Sequence, residues 1–178
     1  MPSRGTLGEA SVKSLDVGCG SGRDSLAFLK KGYAVTSFDA SPELARIASA
    51  LTGLPVAVLR FQVFPFEEEF DAVWACASLL HVPRRKLGGV LARLRKSLRP
   101  GGVLYASFKV GENEGVRGGR LFSDRDEQSL SDALRTCGGW CIIRGWRTKD
   151  RRPGRECDEW INVLANRVGG PGHPEARE

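Results

Sequence analysis

Leu15-Asp16-Val17-Gly18-Cys19-Gly20-Ser21-Gly22-Arg23-Asp24 decides how the rest of the chain reads. Leu15 to Val17 reads as the end of a short buried strand, and Arg23 to Lys31 as a helix with Leu26 and Leu29 on one side. Between them Gly18, Gly20 and Gly22 alternate with other residues. A backbone without Cβ atoms turns sharply and approaches a ligand closely. The helix start beyond it presents free N–H groups and a partial positive charge. Strand, glycine turn and helix in that order form the front of a nucleotide-binding unit. The spacing is G-x-G-x-G, with an acid two residues ahead of the first glycine, and not the G-x-G-x-x-G of dinucleotide folds. A nicotinamide-dependent oxidoreductase is disfavoured on that ground.

Working outward, Tyr33 to Phe38 reads as a second strand that ends at Asp39. A carboxylate at that tip suits the two hydroxyls of a ribose. Ser41, Pro42 and Glu43 open a helix as N-cap, first residue and first-turn acid, and Gly53 closes it. Its expected inner face is Leu44, Ile47, Ala48 and Leu51. Val56 to Phe61 reads as a third strand, with Phe61 and Gln62 at its exit. Phe61 suits either adenine or the core. Phe70 to Cys76 reads as a fourth strand, followed by Ala77, Ser78 and His81, where a parallel sheet meets its ligand. A helix carrying Leu87, Val90, Leu91, Leu94 and Leu98 follows, with a basic outer face. After the turn Arg99 to Gly102 comes a fifth strand, Val103 to Phe108. Residues 109–120 read as a loop, and Ser123 as the cap of a helix over Asp124 to Cys137. Trp140 to Trp146 and Trp160 to Val168 complete the strands, Trp140 and Trp160 being expected in the core.

The chain has 178 residues, 41% hydrophobic and 27% charged, with a net charge of +6. That length suits one domain, placed at residues 1–168, with a flexible tail at 169–178. No apolar run approaches a membrane span and no signal pattern opens the chain, so a cytoplasmic protein with no membrane partner is expected. The five cysteines include no C-x-x-C pair, which points to reduced thiols and to no metal site. The positive charge permits nucleic acid as a partner without favouring it.

The alternation of strands and helices over Ser14 to Val168 resembles the class I S-adenosylmethionine (SAM)-dependent methyltransferases. The resemblance rests on the D-x-G-x-G-x-G form of Asp16 to Gly22, Asp39, the strand Phe70 to Ala75, and Leu98-Arg99-Pro100-Gly101-Gly102. Gly22-Arg23-Asp24-Ser25 and Gly32 to Thr36 resemble the small bacterial tellurite-resistance-like and thiopurine-type members. Trp74 to Pro83, Ser107-Phe108-Lys109 and Arg152 to Arg155 resemble a small bacterial subgroup. The resemblance implies an α/β fold, a doubly wound Rossmann-like sheet of seven strands, mostly parallel with an antiparallel C-terminal strand. It implies SAM as cofactor, with Asp16, Gly18, Gly20 and Gly22 around its methionine part. Asp39 would serve the ribose, Phe61 and Gln62 would flank adenine, and Ala77 and His81 would line the far side; Cys19, Arg23, Ala40, Ser41 and Ser78 complete the expected cofactor contacts. Family members carry helices ahead of the first strand, so a shortened N-terminal cover is expected here.

Methyl transfer needs alignment and exclusion of water more than a fixed catalytic set. A base matters only if the acceptor must lose a proton. His81 is the candidate, because histidine as a residue type titrates near neutrality and this one follows the fourth strand. Cys76 lacks the preceding proline of the cytosine-C5 enzymes, residue 75 being Ala75, and the N/D-P-P-Y motif of amino-group enzymes on nucleobases is missing. His81, Lys109, Arg117, Arg151 and Arg155 are the candidate substrate contacts, the cations suiting an anionic acceptor. The expected activity is methyl transfer to a small molecule, by a monomer or homodimer. The alternatives are RNA methylation, suggested by charge alone, and a SAM-binding module without catalysis.

Overall fold

Right-handed crossovers decide where the helices lie. The structure, a computed structural model, describes residues 11–155 and 157–169. Among these, nine strands and four helices follow in order: β1 (Lys13–Val17), α1 (Arg23–Lys30), β2 (Ala34–Asp39), α2 (Pro42–Thr52), β3 (Ala57–Val58) and β4 (Phe70–Ala75). After a single 3-10 turn, Leu79–His81, come α3 (Arg84–Ser97), β5 (Leu98–Lys109), β6 (Glu114–Arg117), β7 (Arg120–Ser123), α4 (Glu127–Cys137), β8 (Trp140–Lys149) and β9 (Glu159–Arg167). Seven strands form one sheet in the order β3-β2-β1-β4-β5-β9-β8. β1 to β5 are parallel, and β9 runs antiparallel to both β5 and β8. This is the expected doubly wound sheet. Because the strand order runs outward in opposite directions from β1 and from β4, right-handed connections put α1 and α2 on one face and α3 and α4 on the other. Leu15 and Val17 of β1 are both 0% exposed; burial of each contributes about 2 kcal/mol.

Several elements differ from the sequence reading. β3 shrinks from the expected Val56 to Phe61 to two residues, because it is an edge strand in which only Ala57 and Val58 pair with β2. The chain then turns, and Phe61 swings inward against Phe38. β5 starts five residues early, at Leu98 paired with Phe70, across an irregularity that absorbs the Pro-Gly-Gly turn. Residues 109–120 are not all loop: β6 and β7 form a hairpin around Gly118-Gly119, both at positive φ, which a two-residue turn of this hand needs. That pairing consumes Ser123, so the cap of α4 passes to Asp126, whose carboxylate accepts from Ser129 N at 2.7 Å in a reciprocal capping box.

The inner face of α2 also differs. Ala45 and Ala48 are buried, whereas Ile47 and Leu51 are exposed. The cause is close approach: a Cβ on Gly22 would stand 2.9 Å from Ala48 Cβ. Small residues face the glycine loop, and the branched ones turn to solvent. Trp140 is buried as expected, but Trp160 is only partly covered. The first ten residues, where most of the expected N-terminal cover falls, lie outside the described residues, as do residues 170–178 of the expected tail. Among the described residues no helix is long and apolar enough to cross a membrane.

Candidate active site

β1 and β4 are neighbours from which the chain departs in opposite directions, and the carboxyl ends of β1, β2 and β4 there frame a crevice. It is a cleft of about 350 Å³, within the usual range for small-ligand sites. Gly18 and Gly20 form one wall, Asp39, Ala40, Ser41 and Leu44 another, and Phe61, Ala77, Ser78 and His81 the remainder, with Arg120 and Leu121 reaching in from the hairpin. The glycine loop is pinned to β2: Gly18 N and Cys19 N both donate to Phe38 O, and Gly20 N donates to Asp39 Oδ2 at 2.9 Å. Asp39 Oδ1 accepts from Ser41 N at 2.8 Å. Each carboxylate oxygen keeps a second lone pair for a ligand.

A second, larger chamber of about 670 Å³ opens beside the cleft and shares Ala77, His81 and Arg120 with it. Lys109, Arg117, Arg152 and Arg155 line it, together with Leu80, Phe122 and Trp160. His81 therefore faces both spaces. Its Nδ1 lies 2.7 Å from Leu121 O and its ring packs edge-on to Phe122. Ala77 holds a left-handed backbone at φ 49°, with its N–H donated to Ser107 Oγ at 2.8 Å. A non-glycine residue in that conformation costs of order 1 kcal/mol, and such strain gathers at functional sites.

The family described as "Methyltransferase domain" matches residues 15–102. The fold superposes on a SAM-dependent methyltransferase from Methanosarcina mazei with a TM-score of 0.77, at 20% identity, covering 90% of this chain and 94% of that one. It also matches the 1,6-didemethyltoxoflavin-N1-methyltransferase of Burkholderia thailandensis, solved with 1,6-didemethyltoxoflavin and S-adenosylhomocysteine bound, with a TM-score of 0.74 at 26% identity, covering 89% of this chain and 72% of that one. Residues 15–102 thus match the methyltransferase-domain family, and the described residues have the fold of a class I SAM-dependent methyltransferase. A ubiquinone biosynthesis O-methyltransferase of Xanthomonas oryzae is 35% identical over 106 residues, 55% of this chain and 43% of the relative. The chain thus spans less than half the length of that curated relative.

The residues of the cleft fit a nucleoside-bearing cofactor. A Cβ on Gly18 would meet Ser78 Cβ at 2.7 Å and Phe61 Cζ at 3.0 Å, so the cleft keeps its shape only with a bare backbone there. Ser78 Oγ is buried in the wall with no partner in the protein, the state of a hydroxyl that a ligand satisfies.

Not every residue expected at the cofactor reaches the cleft. Gly18, Gly20, Asp39, Ala40, Ser41, Phe61, Ala77 and Ser78 line it. Asp16 lies behind the loop, 3% exposed, accepting from Ser25 Oγ at 2.6 Å. Gly22 serves the packing of α2, while Cys19, the exposed Gln62, and Arg23, paired with its own neighbour Asp24, are outside the lining. Burial, followed by the carboxylates of Asp16 and Asp39, pushes the Cys19 thiol up to about 12. Of the expected acceptor contacts, His81, Lys109, Arg117 and Arg155 share the chamber, whereas Arg151 is exposed and lines neither cavity. Arg120, Leu121, Phe122 and Trp160 were not singled out as site residues. The glycine pair between Val116 and Leu121 is the hairpin signal that leads to the first three.

Proposed function

We propose that this chain transfers a methyl group from SAM to a small-molecule acceptor seated in the second chamber. The observation that carries this reading is the meeting of the two cavities at Ala77, His81 and Arg120. SAM, when bound, supplies an electrophilic methyl group on a sulfonium. The chain has to align the acceptor with that methyl and keep water away. Asp39 would accept from the ribose hydroxyls, Phe61 would cover adenine, and Gly18, Gly20 and Ser78 would lie along the remainder of the donor. The main-chain oxygen of Leu121 can only accept, so His81 Nδ1 carries the proton and Nε2 keeps its lone pair. That nitrogen is the base for an acceptor that must shed a proton. Burial raises the Cys76 thiol, which disfavours a thiolate nucleophile at the end of β4. The finer placement among small bacterial tellurite-resistance-like and thiopurine-type enzymes, and a cytoplasmic location, belong to the same proposal.

Calorimetry with SAM, S-adenosylhomocysteine and NAD tests it. Binding of the first two and not of NAD is the expected result. Binding of NAD alone, or of none of the three, overturns it.

A further inference from the structure

Five cationic side chains line the second chamber, and three of them are already neutralised. Lys109 Nζ meets Asp158 at 2.9 Å, Arg117 meets Asp124 at 2.5 Å, and Arg152 pairs with Asp150. Arg117 is also spent on the face of Phe122, 4.4 Å from the ring centroid. Arg120 and Arg155 have no carboxylate partner among the described residues. Among the described residues the chamber therefore keeps two positive charges that no carboxylate answers. They differ in place: Arg120 stands where the chamber meets the cleft, whereas Arg155 belongs to the chamber alone. Apolar and aromatic surface, Leu80, Phe122 and Trp160, lies in the same walls.

We propose that the acceptor carries an oxyanion, a carboxylate or a phosphate, bound by Arg155 and Arg120 while its flat apolar body lies against Phe122 and Trp160. The inference rests on the methyl-transfer reading above and adds the substrate class. A guanidinium offers two parallel N–H donors to either oxyanion, which neutral isosteres cannot match. Both guanidiniums line one chamber between the hairpin and the β8–β9 connection, of a size that fits a small molecule.

Calorimetry of the whole protein saturated with S-adenosylhomocysteine tests this, with benzoate, phenyl phosphate and uncharged benzamide as probes. At least one of the two anions is expected to bind about tenfold or more tighter than benzamide. The preferred anion distinguishes carboxylate from phosphate. Arg155→Gln is expected to abolish that margin while leaving the affinity for S-adenosylhomocysteine and the melting temperature unchanged. Cofactor binding with no preference for either anion overturns the inference and leaves the methyl-transfer reading standing. A preference that survives in both Arg155→Gln and Arg120→Gln overturns the assignment of the site. Absence of S-adenosylhomocysteine binding overturns both readings together.

Discussion

The Nδ1 atom of His81 sits 2.7 Å from the main-chain oxygen of Leu121, and this one contact ties the imidazole to the hairpin that lines both cavities. A carbonyl cannot rotate away as a side chain can, so the neutral imidazole is held in the tautomer with its proton on Nδ1. His81→Ala is expected to lower kcat by about 10²-fold or more on an acceptor that must lose a proton. The dissociation constant for SAM should change far less. Steady-state kinetics beside calorimetry read both quantities, and an undiminished kcat would leave His81 with a packing role only.

Asp39 does two jobs with one carboxylate. It ties Gly20 to the top of β2 and Ser41 to the start of α2, at 2.9 and 2.8 Å, and it presents its remaining lone pairs to the cleft. Asp39→Ala is expected to weaken SAM binding by about 1–3 kcal/mol, the usual cost of losing charged hydrogen bonds. Asp39→Asn keeps a carbonyl acceptor and should lose less. Titration calorimetry of the two variants side by side checks the order; equal affinity across all three proteins would refute the ribose assignment.

The first two glycines of the loop answer to different pressures. Both hold positive φ, 69° at Gly18 and 58° at Gly20, so an alanine at either costs about 1–2 kcal/mol in backbone strain. Only at Gly18 does the new methyl collide with a wall, Ser78 and Phe61, while Gly20 faces open space. In the unliganded protein Gly18→Ala is expected to cost about 1–3 kcal/mol more than Gly20→Ala, the range for overpacking a fitted interior. Urea unfolding of both variants measures the difference, and equal losses would mean that the Ser78 wall yields freely.

How much of this was legible in the chain depends on whether local chemistry or distant pairing set each feature. The loop after β1 and the limits of α2 follow from residues within a turn of one another: Ser41 caps with its own Oγ, and Gly53 ends the helix at φ 73°. The buried stripe of α3, Leu87, Val90, Leu91 and Leu94, follows from helical period alone. The start of α4 does not, because Ser123 is a good cap until Glu114, nine residues earlier, claims it for a strand. The length of β3 likewise depends on its partner β2. Which cations are free is the least local property of all, since the partners of Lys109 and Arg117 lie at Asp158 and Asp124. Arg117, Arg151 and Arg155 look alike as letters, and only folding sorts them into paired, outside the chamber, and without a carboxylate partner among the described residues.

Asp16 supplies a pH dependence of stability whose sign is opposite to that of most carboxylates. It is 3% exposed, and its Oδ2 accepts from Ser25 Oγ at 2.6 Å. Burial pushes its pKa up to about 6; the Ser25 bond opposes the rise, and Asp24 and Asp39 add to it. In the unfolded chain an aspartate titrates near 3.9. Between about pH 4 and pH 6 the native state therefore holds more protons than the unfolded state, and stability falls as pH rises through that window. Above it the whole penalty of a buried charge is present, on the order of 2–3 kcal/mol. Asp16→Asn keeps an acceptor for Ser25 and removes the charge. It is expected to make the unliganded protein more stable than the parent at pH 7.5, by on the order of 1–3 kcal/mol, with the advantage shrinking to nothing near pH 4. Urea unfolding at several pH values reads the whole curve. A stability difference that stays constant from pH 4 to pH 8 would mean that Asp16 does not titrate in this window and that its charge is compensated behind the loop.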